Sequence, residues 1–137
     1  MCDIAEIQNV LVRQKMLVDA RDAEALRDCY TEDMSQSLRF NGGQPQRLQG
    51  RDAVLTHMKG GWETTDSGAS DVVKHVHFVG PAEVNVTGAD RAAARSMCLY
   101  LSAADGRVVG WGQYSDGFAR VDGNWRLCSR SLEATFV

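Results

Sequence analysis

The strongest constraint on this chain lies in its last third. Three turn signals, Gly88-Ala89-Asp90, Asp105-Gly106 and Asp122-Gly123, divide it into runs of about residues 91–102, 107–121 and 124–136. Gly and Asp-Gly at such points supply the backbone freedom of tight hairpins. Each run is about ten residues or longer, where an ordinary strand has about five or six. Strands of that length accumulate twist and curl, and Gly110, Gly112 and Gly117 offer places to bend. A strongly curved antiparallel meander follows.

The first third has a different period. Ile4, Ile7, Leu11 and Val18 keep near-helical spacing, and Asp3 followed by Glu6 has the form of a capping box. The run Asp19-Ala20-Arg21-Asp22 interrupts the pattern, and Asp22 is placed to cap a short second helix reaching Tyr30. A first strand is expected over 37–40, before the turn Asn41-Gly42-Gly43-Gln44-Pro45. A third helix is expected over 51–59, stopped by Gly60-Gly61, with Val54, Leu55 and Met58 as its apolar face. Asp66-Ser67-Gly68-Ala69-Ser70 reads as a loop. The stretch 72–79 is rich in β-branched residues and 83–87 alternates with its valines inward. Helices first and a meander after make the class α+β, in one domain spanning 1–137.

Composition removes several function classes. At 137 residues the chain has room for one core and one pocket. Its net charge of −3 gives no general attraction to nucleic acid, and no apolar run approaches the roughly 20 residues of a membrane span. No basic-then-apolar leader pattern opens the sequence, and Cys2, Cys29, Cys98 and Cys128 form no CxxC pair. Reduced thiols and a cytoplasmic location are the expectation. Cys98 and Cys128 read as small core residues. His57, His75 and His77 lack a partner carboxylate at ligand spacing, and no phosphate-binding glycine loop or nucleophile motif is present. No cofactor and no metal are implied.

Four pieces in order resemble the SnoaL-like branch of the nuclear-transport-factor-2-like superfamily. They are Leu17-Val18-Asp19-Ala20-Arg21-Asp22-Ala23, Gly50-Arg51-Asp52-Ala53-Val54, His77-Phe78-Val79-Gly80, and the segment from Gly112-Gln113-Tyr114 through Trp125-Arg126-Leu127 to Arg130. The resemblance covers nearly the whole chain. It implies a cystatin-like α+β barrel: N-terminal helices packed on the curved sheet, forming a cone with one pocket, commonly in a homodimer. Members include scytalone dehydratase, polyketide cyclases, ketosteroid isomerase and small subunits of ring-hydroxylating dioxygenases; others only bind ligands or proteins. Fold does not choose among them.

Three residues are candidates for chemistry. His77 shares a strand face with Val73, His75 and Val79, and an imidazole near neutral pKa exchanges protons without a cofactor. A hydrogen-bonded structural histidine is the plain alternative. His77-Phe78-Val79-Gly80 is similar to the His-Phe-Ile-Gly of scytalone dehydratase, which implies an active-site role. The same resemblance sets Asp19 beside it as the orienting carboxylate, where local sequence also allows a cap or loop acid. Tyr114 falls on the face that resembles the pocket lining, either as a donor to substrate oxygen or as a buried phenol. Val18 stands where the dehydratase has its tyrosine, and Leu101 where it has a second histidine. The resemblance thus implies a related acid/base step rather than scytalone dehydration itself.

Phe40, Met58, Trp62, Met97, Leu99 and Tyr100 are expected either as core or as the apolar, substrate-binding wall. Asp116, Arg120, Arg126 and Arg130 read as a structural cross-strand charge network. Together these features point to a cofactor-independent dehydratase, cyclase or isomerase acting on a small hydrophobic polyketide, terpenoid or aromatic molecule. The alternative is a ligand-binding protein or an accessory subunit. Trp111 and mixed outer faces fit a homodimer.

Overall fold

In a computed structural model, which describes residues 2–69 and 72–137, the elements run in the expected order. Helix α1 (Asp3–Ala20) is followed by the short α2 (Ala23–Leu26) and a 3-10 turn over Arg27–Cys29. Strands β1 (Tyr30–Phe40) and β2 (Gln46–Gln49) precede helix α3 (Arg51–Asp66). Then come β3 (His75–Val79), β4 (Glu83–Val86), β5 (Arg91–Ser102), β6 (Val108–Val121) and β7 (Asn124–Phe136).

The seven strands make one sheet in the order β2-β1-β7-β6-β5-β3, with β4 also paired to β5. Strands β3 and β4 share the β5 edge end to end, β3 against 98–102 and β4 against 92–95. The long strands form the antiparallel meander. The sheet as a whole is mixed, however, because β1 lies parallel to β7, and it remains open between β2 and β3/β4. Register shifts interrupt the ladders at Tyr100/Leu101 and at Gly117/Phe118. Gly112 allows a close approach: a Cβ there would collide with the Tyr100 hydroxyl.

Local chemistry accounts for much of this and corrects some of it. Helix α1 ends in a left-handed Arg21 (φ 58°), with Asp22 N–H bonded to Leu17 O and Arg21 N–H to Val18 O. Asp22 caps α2 through its bond from Ala25 N–H, 3.0 Å. The capping box at Asp3 does not form. Instead Asp3 accepts bonds from Arg120 and from the Trp125 indole. The second helix stops at Leu26, and β1 begins at Tyr30 rather than at 37. Gly60-Gly61 does not end α3, which runs on to Asp66. Ser70 of the expected loop lies outside the described residues.

Two apolar clusters share the interior. Ile7, Leu11, Leu26, Tyr30, Met34 and Phe118 belong to the one beneath α1. Leu38, Tyr100, Tyr114 and Leu132 belong to the other, which borders open space. All four cysteines are free; Cys98 is buried as read, while Cys128 is only half-buried. No helix among the described residues is long and apolar enough to cross a membrane.

Candidate active site

Helix α1 brings polar groups to the cavity by continuing its own buried stripe. Ile7, Val10 and Leu11 pack in the core, and the next positions on that face are Gln14, Lys15, Val18 and Asp19. The stripe thus passes from core to cavity lining without leaving its face. Ile4, counted on that stripe from spacing, is instead exposed. Strand β3 supplies the opposite wall. Its alternation turns His75, His77 and Val79 inward and Val76 and Phe78 outward.

Asp19 and His77 meet between these elements. Asp19 Oδ1 lies 2.6 Å from His77 Nδ1, and Oδ2 accepts the His77 backbone N–H at 3.0 Å. A carboxylate can only accept, so Nδ1 carries the ring proton and the lone pair is left on Nε2. Burial opposes ionisation of Asp19, yet the two bonds from His77 outweigh it and hold the carboxyl below its ordinary value. Burial pushes His77 down to about 4, against the pull of Asp19. The imidazole is therefore neutral and basic at Nε2 at pH 7.

The cavity, of about 410 Å³, is enclosed by α1, α3, β3 and the inner faces of β1 and β5–β7. Phe40, Met58, Trp62 and Tyr100 all line it. Met97 and Leu99 do not. Along β5 the inward positions are Cys98 and Tyr100, so Met97 and Leu99 stand exposed on the outer face. Tyr100 stacks on Phe136 at 4.9 Å and meets His77 and His75 edge-on, which makes one side of the cavity aromatic. On the other side Arg21 bonds to Trp62 O at 3.2 Å and to Asp66, tying the last turns of α3 to the end of α1.

Tyr114 is buried against this wall. Its hydroxyl shares a 2.8 Å hydrogen bond with that of Tyr100, so its partner is another phenol. Burial pushes Tyr114 well above its ordinary pKa and Tyr100 to about 12, and both stay protonated. In a two-phenol chain one hydroxyl donates to the other, whose own proton is left for a further acceptor.

Sequence reading missed two participants, Gln14 and Lys15. Arg130 and Asp116, expected in a four-residue network, instead form a buried bidentate pair (2.7 and 3.0 Å). Gln14 joins them, accepting from Arg130 at 3.0 Å and donating to the Tyr30 hydroxyl at 2.8 Å. Arg120 pairs with Asp3, and the Arg126 Nε is buried without a hydrogen-bond partner among the described residues. Lys15 is the other missed residue, with Nζ 3.8 Å from the Tyr114 ring centroid. The signal for Gln14 and Lys15 was their place on the α1 stripe, where a helical wheel puts them beside Leu11 and Val18. No group of three or more His, Cys, Asp or Glu able to hold a metal occurs among the described residues.

The SnoaL-like domain model matches residues 1–131. The chain belongs to the SnoaL-like family. A search of curated protein sequences finds no match. Among solved structures, this SnoaL-like chain is similar to an NTF2-like protein with a cystatin-like fold from Novosphingobium aromaticivorans. The two share 25% identity and a TM-score of 0.75, over 98% of this chain and 82% of that one. From the same organism, a proposed scytalone dehydratase aligns at 20% identity and TM-score 0.71, covering 98% of this chain and 85% of the other. The β subunit of a proposed aromatic-ring-hydroxylating dioxygenase aligns at 16% and 0.71, covering 97% and 89%. These last two likenesses establish the shared fold.

Proposed function

We propose that this SnoaL-like protein is a cofactor-independent acid/base enzyme, a dehydratase, cyclase or isomerase, acting on a small hydrophobic polyketide, terpenoid or aromatic molecule. The observation that carries this reading is the Asp19–His77 pair facing a mostly apolar cavity. Asp19 fixes the tautomer and leaves Nε2 free; Nε2 takes a proton from an acidic C–H of the bound molecule and returns it at a neighbouring atom. Asp19 offsets the positive charge that appears on the ring. The free proton of the Tyr100–Tyr114 pair bonds to the oxygen on which negative charge collects. Aromatic faces of Tyr100, Phe136 and Trp62 hold a flat hydrophobic skeleton in place.

The test is hydrogen exchange at the α-carbons of a panel of hydrophobic ketones, 2-tetralone among them, in D2O and followed by NMR. Wild-type protein accelerates the exchange. His77→Ala lowers the acceleration by about 10²- to 10⁴-fold, the usual worth of a positioned base. Asp19→Asn lowers it as well, because an amide donating to Nδ1 leaves the proton on Nε2. Exchange that is equal in wild type and both variants would sink the assignment.

A second reading rests on the outer face of the sheet. Phe78, Leu99 and Trp111 stand in one cross-strand row over β3, β5 and β6, all exposed, with Met97 beside them. Such a row is a contact surface, and a second copy of this chain is its proposed occupant. The likeness to a dioxygenase β subunit supports the alternative of an accessory subunit, which would use the same face.

A further inference from the structure

Lys15 has an unusual position. Its side chain lines the cavity, the residue is only 6% exposed, and Nζ forms no hydrogen bond or ion pair among the described residues. Its one close partner is the face of Tyr114. The Arg130 guanidinium, 4.6 Å from the same ring centroid, already occupies that aromatic system with a permanent charge. Asp116 is committed to Arg130 through both oxygens, and Asp19 to His77 through both of its own. Lys15 is thus a buried amine beside a fixed cation, with no carboxylate of its own.

A structural lysine in such a place would be expected to find an anion, since an unpaired buried ammonium costs several kcal/mol or loses its proton. Burial and the charge of Arg130 do push its amine well below the ordinary value. The Cys98 thiol, Asp116 and Asp19, the last one helical turn beyond Lys15 on the same face, pull the other way; His77 and Tyr114 also lie around it. When it gives up its proton, the Lys15 amine presents a lone pair in a mostly apolar cavity.

We propose that Lys15 is a covalent binding site for hydrophobic aldehydes and ketones, which it holds as an imine. The Nζ lone pair adds to the carbonyl carbon, forming the C–N bond, and one amine hydrogen passes to the carbonyl oxygen. The second amine hydrogen leaves with that hydroxyl as water while C=N forms. Atoms balance without an oxidant or reductant, and the aromatic and aliphatic side chains of the lining receive the hydrophobic part of the carbonyl compound. The cavity is the one assigned above, but imine formation does not need His77 to act as a base.

The experiment uses the intact wild-type chain with 6-methoxy-2-naphthaldehyde and sodium cyanoborohydride at pH 7, followed by peptide mapping. Cyanoborohydride reduces the imine and fixes the label at its site. Exposed Lys59, which does not line the cavity, is the internal reference; Lys74, exposed but among the lining residues, is mapped beside it. A buried amine pushed below its ordinary value holds a larger neutral fraction, so Lys15 is expected to carry more label than Lys59. Excess 2-methoxynaphthalene protects Lys15 and leaves Lys59 unchanged, and unfolding in urea abolishes the preference. Label at Lys15 no higher than at Lys59, or a preference that survives urea, overturns the proposal. Lys15 labelling persists in His77→Ala, whereas ketone exchange does not, so the two assignments fail separately.

Discussion

His77 ties function and stability to the same proton. Its imidazole is pushed from 6.5 to about 4 by burial. In the unfolded chain it takes up a proton near its ordinary value; in the folded chain it resists. Between those values the unfolded state binds more protons, so acid favours unfolding. Urea midpoints are expected to hold steady above pH 7 and to fall as pH drops from 6.5 to 4, by about 3 kcal/mol from this residue. The carboxyl of Asp19 is held low, so its contribution is lost only at still lower pH. His77→Gln should flatten the loss between pH 6.5 and 4; an unchanged slope would show that another group titrates there. For ketone exchange the same values predict a rate that is level from pH 8 to 5 and falls only toward 4.

At the scale of elements, α3 is the informative case. Gly60 and Gly61 sit inside it with open space where a Cβ would be, and Gly60 faces solvent. Glycine in a helix interior costs about 0.5–1 kcal/mol relative to alanine. Gly60→Ala is therefore expected to raise stability by about that amount in denaturant titration, and a loss would mean the backbone there is not helical. The helix continues past two glycines because its end is tied from outside: Arg21 bonds to Trp62 O and Asp66. Local sequence marks a stop at Gly60-Gly61, and only a residue some forty positions away overrides it. Strand β1 follows the same logic. Its start at Tyr30 looks helical alone and becomes strand because Tyr30 pairs with Leu127 of β7; after a register break the pairing resumes at Ser35, where β2 joins on the other side.

The whole molecule has two faces with different work. The inner face closes over the cavity, and the outer one carries the Phe78, Leu99 and Trp111 row. If that row joins two copies, light scattering gives twice the 15.0 kDa chain mass, and Trp111→Glu gives a monomer that still folds. A wild-type monomer would leave the row to another partner.

What the sequence determined by itself is whatever rests on local period and turn chemistry. The hairpins at Asp105-Gly106 and Asp122-Gly123, the alternation of β5 and β6 and the cap at Asp22 are all of this kind. That alternation already placed Tyr100 opposite in sense to Met97 and Leu99, so a wall containing all three was not available to one strand. The site itself is non-local. Asp19 and His77 lie 58 residues apart, and Arg130 and Gln14 116 apart; resemblance brought the first pair together, and nothing in the local pattern reached the second. Tertiary structure alone decided that the α1 stripe runs beyond the core, placing Lys15 in the cavity without a carboxylate. Burial is a property of the assembled walls, and it is burial that keeps His77 neutral at pH 7 and pushes the Lys15 amine below its ordinary value.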